Sequence, residues 1–216
     1  MKHEWRKHEK EWYLPKKKPQ LLEMPTLNFI TITGQGNPNG PDYAERIAAL
    51  YPIAYRLKFK AKKGLLAREP FDYTVYPLEG LWTQTDYQAD KPLNKDLFVY
   101  KMMIRQPEGI TQEDFFAVQA ELLQQKNLSL LSEVQFETYT EGQVVQIMHL
   151  GPYDDEAASF EIIDSFLEEF GLERQLIMDE YAHREIYLSD PRRVTPDKYK
   201  TNLRVKVQER TSIEKK

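Results

Sequence analysis

One pattern occurs twice in this chain, and the duplication limits the fold more tightly than any other feature. Residues 27–59, LNFITITGQGNPNGPDYAERIAALYPIAYRLKF, read as an apolar strand, a Gly/Pro/Asn turn and a helix. In that helix Tyr43, Ile47, Leu50, Ala54 and Leu57 recur at spacings of three and four, the period of one helical face. Asp42 and Glu45 suit its positive N-terminal end. Residues 142–172, GQVVQIMHLGPYDDEAASFEIIDSFLEEFGL, repeat the order. Val145, Ile147 and His149 alternate, a Gly-Pro turn comes next, and Asp154, Asp155 and Glu156 open a second helix. Its stripe is Phe160, Ile163, Phe166, Leu167 and Phe170, with Gly171 as the stop.

The segments after the two helices also match. DYTVYPLEGLW (72–82) parallels HREIYLSDPRR (183–193), with Val75–Tyr76 opposite Ile186–Tyr187 and Thr74 as the twin of Glu185. DLFVYKMMIRQP (96–107) parallels TNLRVKVQE (201–209) as a last strand. Each unit is therefore β-α-β-β, the first spanning about 20–107 and the second about 141–208. A helix and a strand over 108–140 join them, and the Glu-Gly pair at 141–142 predicts a hairpin turn there. The expected fold is α+β: duplicated β-α-β-β units with pseudo-twofold symmetry, forming an antiparallel sheet. Helices 42–60 and 154–170 cover one face. A ligand groove lies between the halves, on the open face opposite the helices.

Composition removes several function classes. No run approaches the ~18 apolar residues of a membrane helix. The charged N-terminus lacks the apolar core of a signal peptide, so the expected location is the cytoplasm. The absence of cysteine excludes disulfides and thiolate chemistry. Residues 1–18 carry seven Lys or Arg against three acids, while the remainder is acidic. Acids interrupt that basic stretch, and Trp5 and Trp12 stand seven apart on one helical face. This pattern predicts a basic helical arm docked by its tryptophans, not a nucleic-acid arm. Residues 19–210 form the domain proper, and 211–216 a charged tail. The histidines at 3, 8, 149 and 183 have no metal-site spacing, and GQGNPNG lacks the lysine of a phosphate loop. Neither a metal nor a cofactor is expected.

The candidate site lies in HREIYLSDPRR. A strand sends successive side chains to opposite faces, so Arg184, Ile186 and Leu188 share one face and Glu185, Tyr187 and Ser189 the other. Glu185 is then either a solvated edge residue or the carboxylate floor of an aromatic pocket, able to act as general base or acid. Tyr76 and Tyr187 occupy matching places, and Trp82 ends its strand as a pocket wall. His149 is either a satisfied core histidine or a base, and Tyr153 can close over a ligand. The two arginines of DPRR read as surface charge.

The segments YTVYPLEGLW, YKMMIRQP, QIMHLGPYDDE and HREIYLSDPRRVTPDKYKT together resemble the GyrI-like small-molecule-binding family, in its stand-alone bacterial branch. The likeness runs from about Trp5 to Val207. It implies the duplicated fold and a partner that is a hydrophobic aromatic small molecule, with neither nucleic acid nor membrane. It also places the family's pocket glutamate at Glu185. Members of this branch include cyclopropanoid cyclopropyl hydrolases, which open a strained ring with water. On that reading Glu185 is the general base, and Tyr187 or Tyr55 donates to the developing phenolate. Trp82 and Tyr76 sandwich the ring system, with His149 and Tyr153 as further ligand contacts. The alternative is a non-enzymatic binder that sequesters or senses drugs.

Overall fold

A computed structural model describes residues 2–66, 68–86, 93–125 and 129–210; the expected tail at 211–216 lies outside them. The chain begins with β1 (Lys2–His3) and two one-turn helices, α1 (Trp5–His8) and α2 (Lys10–Tyr13). The first unit comes next as β2 (Gln20–Gln35), α3 (Pro41–Lys62), β3 (Asp72–Tyr73), β4 (Leu78–Gln84) and β5 (Phe98–Gln106). After α4 (Gln112–Gln125), the second unit is β6 (Gln135–Leu150), α5 (Glu156–Glu169), β7 (Leu172–Gln175), β8 (His183–Tyr187) and β9 (Lys200–Glu209). Pro41 starts α3 where its missing N–H costs nothing. Gly171, at φ +66°, ends α5 as expected.

The fold is α+β with an antiparallel sheet, and the duplication is visible in the strand order. That order is β2-β5-β4 and then β8-β9-β6, one unit and its reversed copy. The units meet twice, at β4–β8 and at β2–β6, and β9 also pairs with β6. The sheet thereby closes on itself. The face expected to be an open groove is instead the interior of a barrel. The hairpin expected at 141–142 is also absent. β6 runs straight through Gly142, whose φ of +73° supports a local irregularity opposite Met24.

Alternation sorts the strands cleanly. Ile30, Ile32, Met102 and Ile104 face outward against Leu50, Ile53, Ala54 and Leu57 of α3. Val145, Ile147, Leu203 and Val205 do the same against Ile163 and Leu167 of α5. The inward set is mixed. Phe29, Leu81 and Met103 pack together, and beside them lies a buried ion network. Arg184, 1% exposed, donates from Nη1 to Glu79 Oε2 (2.6 Å) and from Nε to Glu141 Oε1 (3.1 Å). Arg204 Nη1 reaches the other Glu141 oxygen at 3.4 Å.

The N-terminal arm covers part of this interior. Trp5 and Tyr13 are buried, and Trp5 Nε1 donates to the Val75 carbonyl (3.1 Å). Glu9 accepts from Arg105 (2.6 Å) and from the Tyr76 hydroxyl (3.1 Å). The Trp12 carbonyl accepts from Asn202 and Arg204. Trp12 itself is only partly buried, so Tyr13 takes the second anchoring place expected of it.

Candidate functional site

β4 and β8 pair with Gly80 directly opposite Glu185. The local twofold of an antiparallel pair therefore relates Trp82 to Tyr187, each two residues beyond that point. Glu185 thus faces a glycine, and its counterpart is not Thr74. Both residues point to the helix-bearing outer face, in the seam between the N-terminal ends of α3 and α5, where Tyr43 and Glu156 approach. A Cβ on Gly80 would lie 2.5 Å from Trp82 Nε1 and 3.1 Å from the Tyr187 hydroxyl. The bare glycine allows those two groups to meet: Trp82 Nε1–H donates to the Tyr187 oxygen at 3.0 Å. Gly80→Ala is expected to force them apart, at an overpacking cost of roughly 1–3 kcal/mol. A urea midpoint within error of wild type would contradict this account of the seam.

Glu185 is 9% exposed. Its Oε2 accepts from the Tyr187 hydroxyl (2.7 Å), and its Oε1 accepts from His183 Nε2 (3.0 Å). Glu156, 7% exposed, supplies a further contact. Burial, then the charge of Glu185 and the hydrogen bond to it, push the Glu156 carboxyl up to about 10. Its place in the first turn of α5 favours an anion, but desolvation and the like charge prevail. Burial beside Glu185 therefore favours the protonated form of Glu156. The same burial, with Glu185 nearby, raises the Tyr187 hydroxyl well above the usual phenol range.

Aromatic rings enclose these groups. Tyr43 lies 5.8 Å from Trp82 and meets Tyr100 edge-on at 5.1 Å. Phe98 packs on Trp82, Phe160 sets its edge on His183, and Tyr153 sets its edge on Tyr187. Burial, and next the charge of nearby Glu185, raise the Tyr43 hydroxyl above the usual phenol range.

The raised Glu156 carboxyl makes a stability prediction. The folded state keeps a proton that the unfolded chain releases near pH 4.5, so wild-type stability falls as pH rises from there toward about 10. Glu156→Gln has no such proton. Its melting temperature is expected to gain on wild type steadily between pH 5 and 9, and parallel curves would contradict the raised Glu156 carboxyl.

Of the residues singled out from sequence, the fold gathers Glu185, Tyr187, Trp82 and Tyr153. Three others sit elsewhere. Tyr76 precedes β4, under the N-terminal arm, stacked between Tyr13 and Arg105. Tyr55, 48% exposed, stands on the outer side of α3 in a ladder with Tyr51 and Phe59. His149 is buried with both ring nitrogens engaged, Nδ1 with Ser159 Oγ (2.9 Å) and Nε2 with the Pro152 carbonyl (3.0 Å). It pins the turn before α5, the satisfied-core alternative. Glu156, Tyr43 and His183 were not singled out as site residues. Tyr43 begins the apolar stripe of α3, and only its position at the helix start carries its ring to the seam. Among the described residues no group of three or more His, Asp or Glu is placed to hold a metal ion. No helix among them is long and apolar enough to cross a membrane.

A duplicated α+β barrel with buried carboxyl groups ringed by aromatics at its seam has the architecture of a small-molecule-binding domain. The chain belongs to the GyrI-like small molecule binding domain family, whose sequence model matches residues 17–208. A crystal structure of a hydrolase from Listeria innocua is similar at 32% identity and TM-score 0.83, over 95% of this chain and 100% of that one. An uncharacterized conserved protein from Listeria innocua matches at 32% identity and TM-score 0.84, over the same shares. The EcmrR C-terminal domain shares the fold at 14% identity and TM-score 0.52, over 89% of this chain and 98% of that one. No curated protein matches the chain.

Proposed function

We propose that the protein binds planar, hydrophobic aromatic molecules at the seam and hydrolyses those carrying a strained electrophilic ring, as a detoxifying, cofactor-free hydrolase. The observation that carries this reading is the Glu185 carboxylate, oriented by Tyr187 at 2.7 Å within an aromatic enclosure. The hydrolase from Listeria innocua, at 32% identity over nearly the whole chain, supports a hydrolytic class. A cyclopropane fused to a dienone is primed for this chemistry, because opening it restores an aromatic ring. Glu185 takes a proton from water as the water oxygen bonds to the strained carbon. The ring C–C bond breaks, and its electron pair moves to the carbonyl oxygen as a phenolate. Glu185 then returns the proton to the phenolate through solvent, so one water is added overall.

The tyrosines divide differently from the sequence expectation. Tyr187 already donates to Glu185, so its role is to hold the base rather than to meet the carbonyl oxygen. Tyr55 is 48% exposed on the outer side of α3 and takes no part in this scheme. Tyr153, at the rim of the seam, is the hydroxyl left for the carbonyl end, and Trp82 and Tyr43 flank the ring system. Catalytic amounts of protein are expected to convert a cyclopropane-fused dienone, over many turnovers, to a product heavier by one water. A compound recovered intact after prolonged incubation would remove the enzyme reading.

One observation favours a second reading, a binder that sequesters cationic aromatic drugs. The groups around Glu185 are hydroxyl, imidazole and carboxyl groups rather than Lys or Arg, which leaves its charge for a cationic ligand. In that case Glu185→Gln weakens cationic ligands more than neutral ones of the same shape, as fluorescence titration would read. Equal losses would place the charge of Glu185 outside the binding surface.

A further inference from the structure

Two helix faces, one on each half of the sheet, match in spacing and oppose in charge. Tyr51, Tyr55 and Phe59 recur every fourth residue along α3, with their rings stacked at 6.3 and 6.5 Å. Tyr55 and Phe59 are exposed, beside an open groove walled by Pro52 and Leu122. The same stretch of α3 carries Arg56, Lys58, Lys60 and Lys62 and no acid. Arg56 and Lys60 share Glu121, and Lys58 and Lys62 share Asp72, so four cations meet two carboxylates. On α5 and its C-terminal cap, Ile162, Phe166 and Phe170 repeat the spacing of four. Ile162 and Phe170 are exposed, and the Phe166 and Phe170 rings lie 4.3 Å apart. This helix has no Lys or Arg, and its exposed acids are Glu161, Asp164, Glu168 and Glu169. Of these, only Asp164 has a salt bridge among the described residues, to Arg174. Glu168 and Glu169 stand in the last turn, at the negative end of the helix, where a cation is favoured instead.

We infer that the basic aromatic face of α3 docks on the acidic apolar face of α5 in a second copy of this chain. The two stripes are equal in length, each rising about 12 Å along its helix. Each leaves large apolar side chains in water, and burial against the other face removes that exposure. The surplus cations of α3 meet carboxylates that have no ion pair at home, and Glu168 and Glu169 gain the counter-charge their helix end lacks. Within one chain the two helices cover separate core clusters, α3 over Ile30, Met102 and Ile104 and α5 over Val145, Ile147 and Leu203. The complementary faces therefore meet between copies rather than within one. A contact between unlike faces is heterologous, so it adds copies head to tail unless a ring closes. The contact uses none of the groups around Glu185 and is independent of the hydrolytic reading.

Sedimentation velocity of the full-length chain over a concentration series reads the contact. Wild type is expected to show mass above that of the monomer, rising with concentration and falling back at high salt, because exposed charges are then screened. Phe59→Glu puts an acid on the α3 stripe, and Phe170→Lys puts a cation on the α5 stripe. Each alone should weaken association at least about thirtyfold, the effect of losing a central aromatic anchor. Both positions are exposed, so the melting curves should match wild type. Mixed in equal amounts, the two variants keep one intact face each, α5 on the first and α3 on the second. The mixture should form a one-to-one dimer and grow no further. A wild-type chain that stays monomeric up to its solubility limit overturns the proposal and leaves the ladder to a different partner. Association that neither substitution weakens, or a mixture that stays monomeric, overturns it as well by placing the contact elsewhere.

Discussion

Glu185→Gln is expected to bind a cyclopropane-fused dienone and to release hydrated product at least about a hundredfold more slowly than wild type, since removing a general base typically costs ~10²–10⁴ in rate. The glutamine keeps the shape and can still accept from Tyr187, which now donates at 2.7 Å to Glu185 Oε2. What it loses is the ability to take a proton from water. Binding and chemistry should therefore separate, with kcat collapsing and the dissociation constant of a neutral compound moving little. Stopped-flow mixing coupled to mass spectrometry reads both quantities. Wild-type turnover by Glu185→Gln would remove Glu185 from the chemistry and leave it a structural acid at the seam.

Arg184→Met is expected to have the largest effect on folding. Arg184 lies on the same strand as Glu185 but faces into the barrel, between Glu79 and Glu141. All three are nearly inaccessible, so deleting the guanidinium leaves Glu79 without a counter-charge and Glu141 with Arg204 alone. Breaking a buried ion network from one side costs about 3–5 kcal/mol, a large part of the ~5–15 kcal/mol that holds a domain together. Urea unfolding should show the midpoint reduced accordingly. Changing Glu79 to Gln in the same chain should return part of the loss, because the remaining carboxylate, Glu141, keeps Arg204 as its counter-charge. A single-variant loss under about 1 kcal/mol would mean the carboxylates reach water by another route.

These neighbours on β8 show what sequence reveals and what it hides. Period-two alternation separates Arg184 from Glu185 and places Tyr187 with Glu185, and the structure has both relations. Repetition of strand, helix and two strands identifies the duplicated α+β fold. Neither pattern says which face is open. That depends on β4–β8 and β2–β6 both pairing, and on β9 bonding to β6, which turns one face into an interior. With that face enclosed, the aromatic-acid seam falls on the side of the helices.

Residue-level errors have the same origin. Aligning the units by Val75–Tyr76 and Ile186–Tyr187 takes a loop for a strand. β4 starts only at Leu78, so Tyr76 goes to the N-terminal arm and Gly80 stands opposite Glu185. Tyr55 is off the buried stripe of α3, and nothing in the helix period distinguishes a seam position from plain exposure. Glu156 is hidden differently: in Pro-Tyr-Asp-Asp-Glu it is one of three acids, all suited to a helix start. Its distinction, a carboxyl buried beside that of a residue 29 positions later in sequence, exists only once α5 is laid against β8.

The central claim is that Glu185 activates water rather than attacking the ligand itself, and one single-turnover measurement separates these. Excess wild-type protein is mixed with a cyclopropane-fused dienone in water enriched in heavy oxygen, and the first product formed is weighed. The account predicts heavy oxygen at the opened carbon from the first turnover, with no mass added to the protein. Ordinary oxygen in that first product, or an ester on Glu185, would show the carboxylate to be the nucleophile and contradict the account.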